Sequence, residues 1–188
     1  MPLPIEVKNY YTLDDYYSLP DDIRVELIDG VFYNMASPSQ IHQEISGELF
    51  SDIHEYIKNN RGKCKLFHTP FDVKLFANKD DIVQPDLFVI CDRDKLDGKR
   101  CNGAPDWIIE IVSPSNATHD YVLKLSLYEK AGVREYWIVN PEDKMITVYF
   151  FDDGMHSINT YSFDEKIKVS IYDNYEIDFK DIMSRISE

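Results

Sequence analysis

Two carboxylates interrupt runs that are otherwise apolar: Asp86 in VQPDLFVI and Glu110 in DWIIEIV. Apolar runs of this length read as strands buried on both faces. An ionised carboxylate in such a strand is costly unless something pairs with it or binds it. In neighbouring strands, two of them repel by about 4 kcal/mol at 4 Å and an effective dielectric of 20. A divalent cation between them removes that penalty. Carboxylate oxygens with few imidazoles nearby suit Mg²⁺ or Mn²⁺, not Zn²⁺. Such an ion polarises a phosphate oxygen and acidifies a bound water, so the pattern points to a metal-dependent phosphodiester site. The reading that needs no ion leaves Asp86 solvated at a strand mouth and pairs Glu110 with Lys124 or an arginine.

Lys124 follows on the next helix pattern. Tyr121, Leu125, Tyr128 and Ala131 form one apolar arc, and Lys124 falls inside it, while Ser126, Glu129 and Lys130 take the outer face. A lysine on an inner face needs a partner. Either it reaches the two carboxylates, where it can orient or deprotonate a water or neutralise developing charge, or it snorkels or pairs with Asp120 at i,i+4 spacing. His42 lies on the apolar side of an earlier helix pattern, in its first turn. There it is either a satisfied core residue or a hydrogen-bond partner for a site carboxylate. Glu26, between Val25 and Leu27, is either a third acidic ligand or an ordinary strand-face residue. Ser113 and Ser115 read as turn and cap residues whose amides could meet a phosphate at a helix start.

These side chains need a scaffold. Thr12 caps a short helix, LDDYYSL, which Pro20 stops. VELIDGVFYNM is a hairpin around Asp29-Gly30. Ser39 opens a long helix to about Asn60, with Ile45, Leu49, Ile53, Tyr56 and Ile57 on one side and Gly62 ending it. CKLFHT, PFDVKLF and IVQPDLFVI read as three strands, with Pro85 tolerable near a strand start or at an edge. DWIIEIV is the next strand, a second long helix runs to Gly132, and REYWIVN returns as a strand. A strand–helix–strand unit of this length implies a parallel crossover. The remainder reads as a strand, a turn at Asp152-Asp153-Gly154, another strand, then a short strand and helix. Its Tyr and Phe pack a core edge, and any left exposed offer a contact surface.

The chain has 188 residues and a net charge of −14, with 44% hydrophobic residues. That suffices for one domain with a real core over residues 1–188. The acidic balance argues against broad, non-specific nucleic-acid binding, which rests on basic surface, though a metal site brings its own positive charge. No apolar run approaches a membrane span, and the N-terminus lacks a signal-peptide pattern. Cys64, Cys91 and Cys101 form no CxxC pair and read as reduced thiols of a cytoplasmic protein. There is no GxxxxGK[ST] loop, GxGxxG turn, GxSxG elbow or HExxH helix.

Taken in order, ELIDG, the helix opening with His42, PFDVKL, VQPDLFVICD, GAPDWIIEIVSPSN and D-x-x-x-K-L-x-L-Y-E-K-A-G-V-R-E-Y-W-I-V-N-P resemble the Uma-two family. That family is similar to PD-(D/E)XK nucleases. The resemblance covers about Glu26 to Tyr149. It implies an α/β restriction-endonuclease-like core of helix, three strands, crossover helix and strand, here with an N-terminal hairpin and additional C-terminal strands. It also implies Asp86 and Glu110 as metal residues, with the Ile111 carbonyl as a further metal contact and Mg²⁺ or Mn²⁺ as cofactor. Lys124 is the implied catalytic lysine, moved onto the following helix, since Val112 stands where the wider pattern has lysine. Glu26 and His42 carry over as further site residues. The expected function is a DNA endonuclease, with a homodimer expected because nucleases of this fold often cut duplexes in pairs. The rival is a catalytically silent nuclease-fold module that binds nucleic acid or a protein.

Overall fold

Spacing of four residues between apolar side chains builds the first long helix. The computed structural model describes residues 9–20, 22–113, 119–152 and 155–186. Helix α1 (Leu13–Tyr17) is capped by Thr12, which accepts from the Asp15 amide. Strands β1 (Val25–Ile28) and β2 (Val31–Asn34) form the expected hairpin. Asp29 and Gly30 both take positive φ, 48° and 75°, as a tight hairpin turn requires. Helix α2 (Gln40–Asn59) starts at Ser39, whose hydroxyl accepts from the His42 amide. Ile45, Leu49 and Ile53 are its fully buried stripe, each worth roughly 1.5–3 kcal/mol of burial. The left-handed residue after it is Arg61, φ 49°, not Gly62, whose amide donates to the Ile57 carbonyl.

Beyond α2 come β3 (Lys65–His68), β4 (Val73–Lys74), β5 (Ile82–Val83), β6 (Leu87–Ile90), β7 (Cys101–Asn102) and β8 (Trp107–Ile111). A π-helical segment (His119–Lys124) then runs into α3 (Leu125–Ala131), which Gly132 closes in the left-handed conformation, φ 90°. Strands β9 (Glu135–Asn140), β10 (Met145–Asp152) and β11 (Met155–Ser162) follow. One sheet has the order β2-β1-β5-β4-β7, and a six-stranded sheet has the order β11-β10-β9-β8-β6-β3. The stretch IVQPDLFVI, expected to be one strand, is therefore two strands in two sheets. Pro85 has no N–H to give a ladder, so pairing breaks there and the chain changes sheet. Strands β8 and β9 are parallel, as the crossover implied.

Both faces of the six-stranded sheet are buried. Leu87, Val89, Trp107, Ile109 and Ile111 face α2, while Phe88, Ile90, Ile108 and Val112 face the five-stranded sheet and α3. This accounts for runs with no polar alternation. The single short C-terminal strand expected is a pair, β12 (Lys166–Lys168) and β13 (Glu176–Asp178), before helix α4 (Phe179–Ile186). Phe163, Tyr175 and Phe179 join the α2-side core, with Tyr161 and Tyr172 packed against it. Among the described residues, the large exposed apolar side chain of this third is Ile158, while Tyr149, Phe150 and Phe151 are half-buried. No helix among the described residues is long and apolar enough to cross a membrane.

The reading of three reduced thiols is corrected. Cys64 and Cys91 form a disulfide and Cys101 is free and buried. The register explains the pairing: Lys65 lies opposite Ile90 in the antiparallel β3–β6 ladder, and one further step sets Cys64 beside Cys91. Spacing in the sequence carries no trace of that register.

Glu135 is a buried carboxylate that the sequence reading did not single out. It is 0% exposed. It accepts from Trp137 Nε1 at 2.7 Å and from the Ile171 amide at 3.0 Å, tying the C-terminal segment to β9. Burial pushes its pKa up from 4.5 to about 7 despite those donors. The folded protein thus holds this proton more tightly than the unfolded chain, so its contribution is fully present below about pH 4.5 and is lost as pH rises through about 7. The difference is on the order of 3 kcal/mol. Urea unfolding at pH 5 and pH 8 should show that loss, and Glu135→Gln should flatten it.

Candidate active site

Register brings the two strand carboxylates together. Leu87 lies opposite Ile109 in the antiparallel β6–β8 pair, so one further step sets Asp86 beside Glu110. The Asp86 amide lies 3.4 Å from Glu110 Oε2. Asp86 Oδ2 accepts from the Ile111 amide at 2.8 Å and lies 3.0 Å from His42 Nε2. Among the described residues, the side-chain contacts of Asp86 fall on Oδ2, which leaves Oδ1 for a ligand. His42 reaches it because the Ser39 cap fixes the first turn of α2, putting residue 42 on the buried side.

Glu26 and Glu110 are each 3% exposed and Lys124 is 5% exposed. Lys124 Nζ lies 2.9 Å from Glu110 Oε1 and 3.1 Å from Glu26 Oε1. It is the last residue of the π-helical segment, at the junction with α3. The wider π turn is frequent at functional sites and is absent from a reading at a constant 100° per residue. Asp120 as a partner for Lys124 lies outside the side chains described, as does Ser115; Ser113 lines the cleft.

All five expected residues, Asp86, Glu110, Lys124, Glu26 and His42, border one cleft of about 560 Å³. Two further contacts escaped the sequence reading. Tyr128 OH donates to Glu110 Oε1 at 2.7 Å, and the Gln84 amide donates to Glu26 Oε1 at 3.0 Å. The first had a signal: Tyr128 lies four residues after Lys124 on the same arc, and a buried phenol needs a partner. The second had none, since Gln84 reaches Glu26 only because β5 pairs with β1.

The donors suit a hard cation. Three carboxylates against one ammonium leave a formal charge of −2, counting His42 as neutral. Among the described residues, no three His, Cys, Asp or Glu side chains form a group able to hold an ion by themselves. Mg²⁺ needs no such cage, because it keeps several waters and takes one or two carboxylates. Asp86 and Glu110, adjacent and carrying oxygen donors only, fit that requirement.

Comparison with known proteins gives the family and the fold of the chain. The Uma2 family model, described as "Putative restriction endonuclease", matches residues 13–178. An uncharacterized protein of Synechocystis, slr1290, is 25% identical over 146 residues, covering 77% of this chain and 75% of its own. The crystal structure of a protein from Anabaena variabilis, described as "a putative nuclease belonging to DUF820", superposes with a TM-score of 0.75 at 24% identity. The match covers 92% of this chain and 97% of that one, and it shows the fold.

Removing one partner of a buried ion pair strands the others, typically at 3–5 kcal/mol. Lys124→Met should therefore lower the urea-unfolding free energy by about 3 kcal/mol. Adding Glu26→Gln, which removes one uncompensated charge, should recover part of it.

Proposed function

Because the chain belongs to the Uma2 family, with a restriction-endonuclease-like α/β fold, we propose that it is a divalent-metal-dependent DNA endonuclease that hydrolyses phosphodiester bonds. Family and fold support a nuclease. Mg²⁺ or Mn²⁺, DNA as substrate, a single domain over residues 1–188, a cytoplasmic setting and a homodimer that cuts opposite strands are parts of our proposal. The observation that carries it is the meeting of half-buried Asp86 with buried Glu110, Glu26 and Lys124 in one cleft, three carboxylates against one ammonium.

In this reading Asp86 and Glu110 would hold the ion, with the Ile111 carbonyl as a further ligand. A bound Mg²⁺ or Mn²⁺ supplies charge that polarises a phosphate oxygen and acidifies water. His42 and the Ile111 amide grip Asp86 Oδ2, so Oδ1 is the oxygen presented to the cleft. Tyr128 fixes Glu110. The hydrolysis joins a water oxygen to phosphorus, breaks one ester P–O bond, and leaves a phosphate monoester and an alcohol. Lys124 Nζ orients the attacking water and offsets charge that builds on the phosphate. Glu26 holds that lysine in place, and His42 is likewise a positioning residue.

Supercoiled plasmid incubated with Mg²⁺ or Mn²⁺ should be nicked or linearised. Asp86→Asn and Glu110→Gln should each slow cutting by at least roughly 100-fold, the scale of losing a positioned charge in an active site. Cutting that survives both substitutions would remove this site from the reaction. The second reading, a silent module, is favoured by Val112 at the usual lysine position and by a Lys124 already engaged with two carboxylates. It requires DNA or protein binding without a metal-dependent product, and Mn²⁺ calorimetry lost in Asp86→Asn would count against it.

A further inference from the structure

A cleft lined with carboxylates repels the phosphates of its own substrate, so something in it must hold them. Among the cations lining this cleft, Lys124 is engaged by Glu26 and Glu110. The other, Arg24, stands differently. Its Nη2 donates to Thr69 Oγ1 at 3.0 Å and approaches the Met35 sulfur at 4.0 Å. Among the described residues no carboxylate pairs with it, in a chain with 34 acidic residues and 20 lysines and arginines.

Its position is fixed from two directions. The Met35 amide donates to the Arg24 carbonyl at 3.0 Å, extending the β1–β2 ladder one step beyond Val25. Strand alternation then puts Arg24 on the same face as Glu26. At its other end, the Thr69 hydroxyl that receives the guanidinium belongs to a residue whose amide donates to the Asp86 carbonyl. Arg24 is thus tied to the backbone that carries Asp86 and to the strand that carries Glu26. Its Nε and Nη1 have no partner among the described residues, and the Met35 sulfur facing Nη2 is only a weak acceptor; Nη2 with either neighbouring nitrogen offers the planar fork that matches two phosphate oxygens at once.

We infer that Arg24 binds a phosphate of the substrate strand next to the one being cut, which rests on the nuclease reading of the same cleft. It names the ligand as a phosphodiester backbone and makes Arg24 a binding residue rather than part of the water-activating set.

The test compares Arg24→Ala and Arg24→Lys, each alone and combined with the inactive Asp86→Asn. Steady-state cutting is read on the active forms. Fluorescence anisotropy of labelled single- and double-stranded oligonucleotides, over a salt series, is read on the inactive ones. Arg24→Ala should weaken binding and raise KM by roughly tenfold, with a smaller change in kcat. The slope of log Kd against log salt should flatten by about 0.9 on duplex or about 0.7 on a single strand, the mark of one lost phosphate contact. Arg24→Lys should keep the slope but recover only part of the affinity, since lysine cannot offer the fork. A wild-type enzyme that cuts while Arg24→Ala leaves KM and slope unchanged would overturn the inference and leave the nuclease reading standing. Oligonucleotide binding lost in Arg24→Ala, without cutting by any form, would support Arg24 and sink the endonuclease. If no oligonucleotide binds any form, both fall.

Discussion

Lys124 bridges two glutamates that come from different sheets. Glu26 is on β1 in the five-stranded sheet and Glu110 is on β8 in the six-stranded sheet, while the lysine comes from the turn that leads into α3. Three layers are therefore fastened at one buried point. None of the three side chains is tolerable there alone, because each charge loses its water on burial. Together with the Tyr128 hydroxyl and the Gln84 amide they satisfy one another. The same mutual need fixes how the crossover helix sits against the sheets and so shapes the cleft.

Asp86 depends on a different constraint, the break at Pro85. Because the ladder cannot continue through a residue without an N–H, β5 stays with the first sheet and β6 starts in the second. Asp86 falls at the step between them. It is close enough to β8 to take the Ile111 amide and open enough to face the cleft. One strand break thus leaves Asp86 half-buried beside Glu110 sunk in the core. The buried pair holds its geometry through packing, while the Asp86 contacts among the described residues fall on Oδ2.

Away from the cleft the C-terminal third stabilises the opposite face. Tyr175 stacks on Tyr56 of α2, with ring centroids 3.9 Å apart, and Arg185 of α4 reaches Glu48 and Asp52 on the same helix. These contacts clamp α2 from outside. His42 projects from the first turn of the same helix, at the end that meets Asp86.

Much of this was legible in the chain itself. Four-residue spacing gave α2 its buried stripe, and Asp29-Gly30 marked the hairpin. Apolar runs announced strands covered on both faces, and the cost of burying charge singled out Asp86, Glu110 and Lys124. Those inferences are local, or rest on a penalty that holds in any core. What pairs with what was settled by register and packing. Only the folded sheets reveal that IVQPDLFVI divides at Pro85, that Cys64 meets Cys91, that Glu135 is sealed beneath the C-terminal segment, and that Gln84 and Tyr128 complete the glutamates' hydrogen bonds. The physical reason is distance along the chain: periodicity reports which way a side chain points, whereas its partner from fifty residues away is chosen by how strands align and layers close.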